Sequence, residues 1–116
     1  MTKQEILRVL DRILDPDLRD RSIVEMGFVR EDDIEVTEEE IQISYTVGGP
    51  LCPYSAAVGI IIHHTLGERF KKRVRVRMKE HYQQQIVNQI LEDESQFEEW
   101  FEKIKSEKLL ANWMRD

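Results

Sequence analysis

The sequence predicts an α+β fold: a small two-layer α-β-β-α-β domain with a mixed sheet, followed by a helical C-terminal extension. Three observations carry this. Ile41, Ile43, Tyr45 and Val47 alternate with Gln42, Ser44 and Thr46, the period of a strand with one buried face. Val74, Val76 and Met78 alternate in the same way with Arg73, Arg75, Arg77 and Lys79. Between these runs, Ala56, Ala57, Ile60, Ile61 and His64 recur at helical spacing. A chain of 116 residues is one domain by length and is able to bury a core.

The elements follow in order. Thr2 to Leu14 reads as a helix: Thr2-Lys3-Gln4-Glu5 fits a capping box, and Ile6, Leu7, Leu10, Ile13 and Leu14 form one stripe. Asp15-Pro16 ends it, because a residue before proline is pushed out of helical dihedrals. After a loop to Gly27, Phe28 to Val36 reads as a strand, although only Ile34 and Val36 alternate cleanly. Thr37 to Glu40 is a turn, and the alternating strand Ile41 to Val47 completes a hairpin. Pro53 to Leu66 reads as the second helix, with Pro53 at its first position and Gly67 as its left-handed cap. Gly59 and Ile62 extend its apolar surface, which predicts cover on more than one side. Arg73 to Lys79 is the third strand. Beyond it, Tyr82, Ile86 and Ile90 are spaced by four. Ser95-Gln96-Phe97-Glu98 fits a capping box that opens a last helix with Phe97, Trp100, Phe101 and Ile104 inward.

Composition excludes several functions. Lys+Arg is 17 and Asp+Glu is 23, a net charge of −6, which argues against general nucleic-acid binding. No run of about 18 apolar residues is present, and the N-terminus lacks the apolar core of a signal peptide. The one cysteine, Cys52, excludes an intrachain disulfide and any zinc site built from several thiolates, and makes the cytoplasm the default compartment. Nucleotide-binding and hydrolase motifs such as GxGxxG, GxxxxGK[ST], HExxH and GxSxG are absent.

Gly48-Gly49-Pro50-Leu51-Cys52-Pro53-Tyr54 is the most informative segment. With Pro53 as first helical residue, Cys52 is the N-cap, facing free N–H groups and the positive end of the helix dipole. Such a place favours thiolate, which is both nucleophile and soft-metal ligand. An inert buried cysteine is the alternative. The right-handed crossover rule makes strand three parallel to strand two. The loop Asp15 to Gly27, Cys52 and the turn Glu80-His81-Tyr82 then converge at one sheet edge, with Asp15, Asp17, Glu25 and His81 as candidate neighbours of the thiol. His63 and His64 lie too far along the helix, roughly 16–18 Å at about 1.5 Å per residue.

Two charge runs complement each other. Arg69 to Lys79 holds seven Lys or Arg in 11 positions, and Glu31 to Glu40 holds seven acidic residues in ten. Cross-strand ion pairs over the open sheet face are the structural reading; capture of an acidic partner is the functional one.

The blocks Ile13-Leu14-Asp15-Pro16-Asp17-Leu18, Ser22-Ile23-Val24-Glu25-Met26-Gly27-Phe28-Val29, Thr46 and Pro50-Leu51-Cys52-Pro53 resemble the SufT/PaaD-like iron–sulfur assembly factors over residues 3 to 79. The resemblance implies a non-enzymatic factor that helps mature clusters or deliver them to recipient proteins. It implies an assembly domain over residues 1–79; residues 80–116, which the resemblance does not cover, read from their own pattern as an acidic helical extension packed on or flanking that domain. It implies that Cys52, Asp15 and Thr46 form the cluster-facing site; the convergence at the sheet edge, not the resemblance, adds His81 to Cys52 as a metal ligand. A transient iron–sulfur cluster or iron is then the cargo, and the assembly machinery and recipient proteins are the partners. Gly48 and Gly49 stand where the family often has hydroxyl residues, and Asp17 where it usually has Glu. A cluster takes about four ligands, mostly thiolates, so a homodimer would supply two of them. The competing readings are a scaffold subunit of a larger oxygenase or assembly complex, and a small thiol enzyme with Cys52 as nucleophile and His81 or Asp15 as base.

Overall fold

The computed structural model describes residues 2–15, 20–47 and 55–106. Its order is α1 (Lys3–Leu10), β1 (Ile34–Val36), β2 (Glu40–Tyr45), α2 (Ser55–Phe70), β3 (Arg73–Met78), α3 (Gln84–Glu92) and α4 (Glu94–Ser106). The fold is α+β with a mixed three-stranded sheet of order β1-β2-β3. β1 pairs antiparallel to β2, and β3 runs parallel to β2, as the crossover through α2 requires.

The alternation of the strands sorts their side chains. Ile34, Ile41, Ile43, Tyr45, Val74, Val76 and Met78 point into the core, while Glu35, Gln42, Arg73, Arg75 and Arg77 are exposed on the opposite face. All helices pack on the apolar face. α2 lies against the sheet and is covered in turn by α1, α3 and α4, so every residue from Ser55 to Ile62 is buried. That is why its apolar surface runs around most of its circumference.

Tyr45 is the tightest joint. It is fully buried, and its hydroxyl donates to the Ser55 carbonyl at 2.7 Å. Its ring lies on Gly59, where a Cβ would sit 2.5 Å from the hydroxyl oxygen and 2.9 Å from two ring carbons. Glycine here is a matter of close approach between β2 and α2, not of helix termination.

Several boundaries differ from those the sequence predicts. α1 stops at Leu10 rather than Leu14. Arg12 and Ile13 donate to carbonyls three residues back, and Leu14 then pairs with Ser22 in an antiparallel bridge. Pairing with the 21–23 segment thus outcompetes another helical turn. Phe28 to Asp33 is not strand. Arg30 N–H donates to the Asp33 carboxylate at 3.0 Å, and Asp33 N–H returns to the Arg30 carbonyl at 2.9 Å. An acidic side chain competing for its own backbone makes a 3-10 turn over Glu31–Asp33. Gly67 does not cap α2, which runs on to Phe70; Lys71 takes the left-handed position with φ 54° and donates to the Gly67 carbonyl. The predicted start of α2 at Pro53 lies outside the described residues.

The C-terminal helices also depart from the pattern. Tyr82 and Ile86 are 65% and 61% exposed, so the spacing by four does not mark the core face of α3. Val87 and Asn88 are buried instead, and Ile90 and Leu91 pack against the core. α4 is capped by Asp93 rather than Ser95: the Asp93 carboxylate accepts from Gln96 N–H at 3.1 Å. Its inward residues are as predicted, with Ile104 buried and Phe97, Trp100 and Phe101 packed on the core. Phe97 lies 4.8 Å from the His63 ring and Phe101 lies 4.6 Å from the His64 ring, centroid to centroid.

Two measurements test this packing. Gly59→Ala is expected to destabilise by about 1–3 kcal/mol through overpacking against Tyr45, read as a lower urea midpoint with an unchanged slope. Burial lowers the His63 pKa from its ordinary 6.5, against an opposing pull from the Val74 main chain and with a further push from His64. The unfolded chain therefore gains this proton before the folded one as pH falls. The His63 contribution is complete above about pH 6.5 and declines below it, so His63→Gln should flatten part of the acid loss of stability as pH falls below about 6.5.

Candidate functional site

The sheet edge at the C-terminal ends of β2 and β3 is built by main-chain bonds. Ile23 N–H donates to Ile13, Phe28 N–H to Ile23, and Thr46 N–H to Phe28, at 2.9, 2.9 and 3.0 Å. These link the end of the α1 segment, the 22–28 turn and the exit of β2 in one chain of contacts. Lys79 N–H donates to the Tyr45 carbonyl at 2.8 Å, which brings the exit of β3 to the same place. Gly27, at φ +77°, makes the reversal that lets Phe28 return to Ile23.

Asp15 sits in this edge, 4% exposed, with its N–H donating to the Arg21 carbonyl at 2.8 Å. Thr46 is half-buried and is tied through Phe28 and Ile23 to Ile13, two residues before Asp15. Glu25 is committed to local structure. Its carboxylate accepts from Ser22 N–H at 3.0 Å, and Ser22 Oγ accepts from Glu25 N–H at 3.0 Å. Ser22 is fully buried and donates in turn to the Asp11 carboxylate. Ser22-Ile23-Val24-Glu25 is thus a reciprocal capping box, a spacing legible in the sequence but masked by the reading of Glu25 as a ligand.

His81 is buried at the exit of β3 and stacks on Tyr82, centroids 5.1 Å apart. Its Nδ1 accepts from Gln83 N–H at 3.1 Å, so the neutral ring carries its proton on Nε2. Metal ligation through Nε2 therefore requires the other tautomer and loss of the Gln83 bond. Among the described residues, no group of three or more His, Cys, Asp or Glu is placed to hold a metal ion.

A family model for iron–sulfur cluster assembly proteins matches residues 3–63, more than half of the chain. The chain belongs to that family. No curated protein matches it significantly. The part that the assembly-family model matches runs from α1 into α2, and so takes in Asp15, Thr46 and Cys52 but not His81. Cys52, Asp17 and the expected N-cap geometry lie outside the described residues. What is described is the frame on both sides: Tyr45 to Val47 before Cys52, and Ser55 after it, joined by the Tyr45 hydroxyl. Among the described residues, no helix is long and apolar enough to cross a membrane.

The sequence reading missed Asn88. It is buried, and its side chain accepts from Met78 N–H at 2.7 Å and donates to the Met78 carbonyl at 3.2 Å. It mimics one residue of a neighbouring strand and closes the end of β3 next to His81. No periodicity marks such a residue; a polar position on the inward side of α3 is its only trace.

Ser22→Ala removes the hydroxyl that both Glu25 N–H and Asp11 use, so a loss of about 1–3 kcal/mol is expected in urea unfolding. Glu25→Gln retains an acceptor for Ser22 N–H and should cost less than Ser22→Ala.

Proposed function

We propose that this member of the iron–sulfur assembly family is a SufT/PaaD-like factor that helps build clusters or hand them to recipient proteins, without itself catalysing a reaction. The observation that carries the reading is the family match over residues 3–63, which contains the cysteine segment and the part of the edge from Ile13 to Thr46. Cys52 is the residue that contacts iron or cluster, with Asp15 and Thr46 lining its surroundings. His81 is the further metal ligand, after the change of tautomer described above.

The chemistry suits transfer. A cluster is held by about four ligands, mostly thiolates. One chain has a single cysteine. The remaining ligands then come from a second copy of the chain, from the donating machinery or from the recipient. A cargo bound by an incomplete set is released when a partner offers more thiolates. The cytoplasm, where thiols stay reduced, is the compartment that keeps such a lone thiol available.

Anaerobic reconstitution with iron and sulfide tests this, comparing the wild type with Cys52→Ser by visible absorption and iron content. The expected result is a chromophore in the wild type, at about one cluster per two chains for a dimeric carrier, and its loss in Cys52→Ser. Iron at background in both proteins would overturn direct cargo binding. A chromophore that survives in Cys52→Ser would overturn the assigned ligand.

A further inference from the structure

The free edge of β3 has a gap. β3 is an outer strand of the sheet, and in a parallel ladder only alternate residues bond the neighbouring strand. Lys79 N–H donates to Tyr45, so the main chains of Arg73, Arg75 and Arg77 face β2. The main chains of Val74, Val76 and Met78 face outward. Met78 is satisfied at both groups by Asn88. The outward N–H and carbonyl of Val76 have no hydrogen-bond partner among the described residues. A cavity of about 340 Å³ is lined here by Val74, Val76, His63 and Leu91, with the three β3 arginines and the carboxylates of Glu40 and Glu92 also at its surface.

The charge beside the gap is uneven. Of the exposed arginines of β3, Arg75 pairs with Glu40 at 3.5 Å. Arg73 and Arg77 make no ion pair among the described residues. They stand two residues apart from Arg75 on the open face, a local positive stripe on a chain of net charge −6. Lys79 is already paired with Asp33 across the sheet. The predicted cross-strand ion pairs thus account for part of the basic run and leave the stretch that borders the gap.

We infer that the free edge of β3 takes up an extended acidic segment of a partner protein as a fourth strand, its main chain bonding Val76 and its carboxylates meeting Arg73 and Arg77. Main-chain pairing satisfies groups that otherwise face a half-enclosed slot. Alternation then puts every second side chain of the guest over the arginine stripe. A second copy of the chain is the poorer occupant through this strand, because β3 against β3 sets arginine beside arginine. Asn88 at Met78 and the His63 side chain at the Val74 main chain end the available edge on either side of Val76, so the guest is short. The inference is independent of Cys52 and of cluster binding.

The probe is a short, end-capped peptide of alternating Glu and Val, titrated into the full chain and followed by amide shifts and hydrogen exchange. The expected result is a shifted and slowed Val76 amide, with affinity about tenfold weaker for the double variant Arg73→Glu with Arg77→Glu. The same peptide with N-methylated main-chain amides should fail to bind, and one with Lys in place of Glu should bind much more weakly. Equal binding of the N-methylated peptide would overturn strand pairing. Equal binding of the Lys peptide, or no change at Val76 at about 1 mM Glu peptide, would overturn the inference as a whole.

Discussion

The contact between Tyr45 and the start of α2 is the constraint on which the rest of the molecule depends. The tyrosine hydroxyl reaches the Ser55 carbonyl, and its ring occupies the space that a side chain at position 59 would need. Helix and strand can approach this closely only because residue 59 is glycine. The contact ties the exit of β2 to the first turn of α2, across the segment that carries Cys52. The parallel placement of β3 follows, since the crossover through α2 must return on the same face of the sheet. Defined elements thus hold both ends of the segment that carries Cys52.

The edge around that segment is built mainly from backbone. Thr46 to Phe28, Phe28 to Ile23, Ile23 to Ile13 and Lys79 to Tyr45 are all main-chain bonds. Side chains that look available for chemistry are partly absorbed by this construction. Glu25 and Ser22 cap each other, and the His81 ring accepts a main-chain N–H. Among the described residues, this edge is therefore held by its polar side chains as well as by its backbone.

Much of the fold was legible because hydrophobic period is a local property. The alternation in β2 and β3 and the wide apolar surface of α2 led to the correct order, pairing and cover. Boundaries failed where a distant segment offered a better partner. Leu14 left the helical pattern for a bridge to Ser22, and Asp33 turned the chain before β1 by bonding Arg30 N–H. The spacing of Tyr82, Ile86 and Ile90 misled because a short helix at the rim presents only part of its surface to the core. Of the segments expected to converge, the one before β1 and the exit of β3 both meet the exit of β2, while the one carrying Cys52 lies outside the described residues. The use of Glu25 as a cap and the tautomer of His81 were not legible, since both depend on main-chain atoms in the folded state.

By itself, then, the sequence determined the α+β class, the mixed sheet, the burial of α2 and the choice of Cys52 as the residue to test, together with the resemblance that the family match supports in its broader form. These follow from periodicity, composition and short motifs, which need no knowledge of distant contacts. Tertiary structure alone decided where helices end, that Asn88 stands in for a strand residue, and that the main chain of Val76 has no partner among the described residues beside Arg73 and Arg77. The reason is that each depends on which backbone groups find partners, and partners separated widely in sequence meet only once the chain has folded.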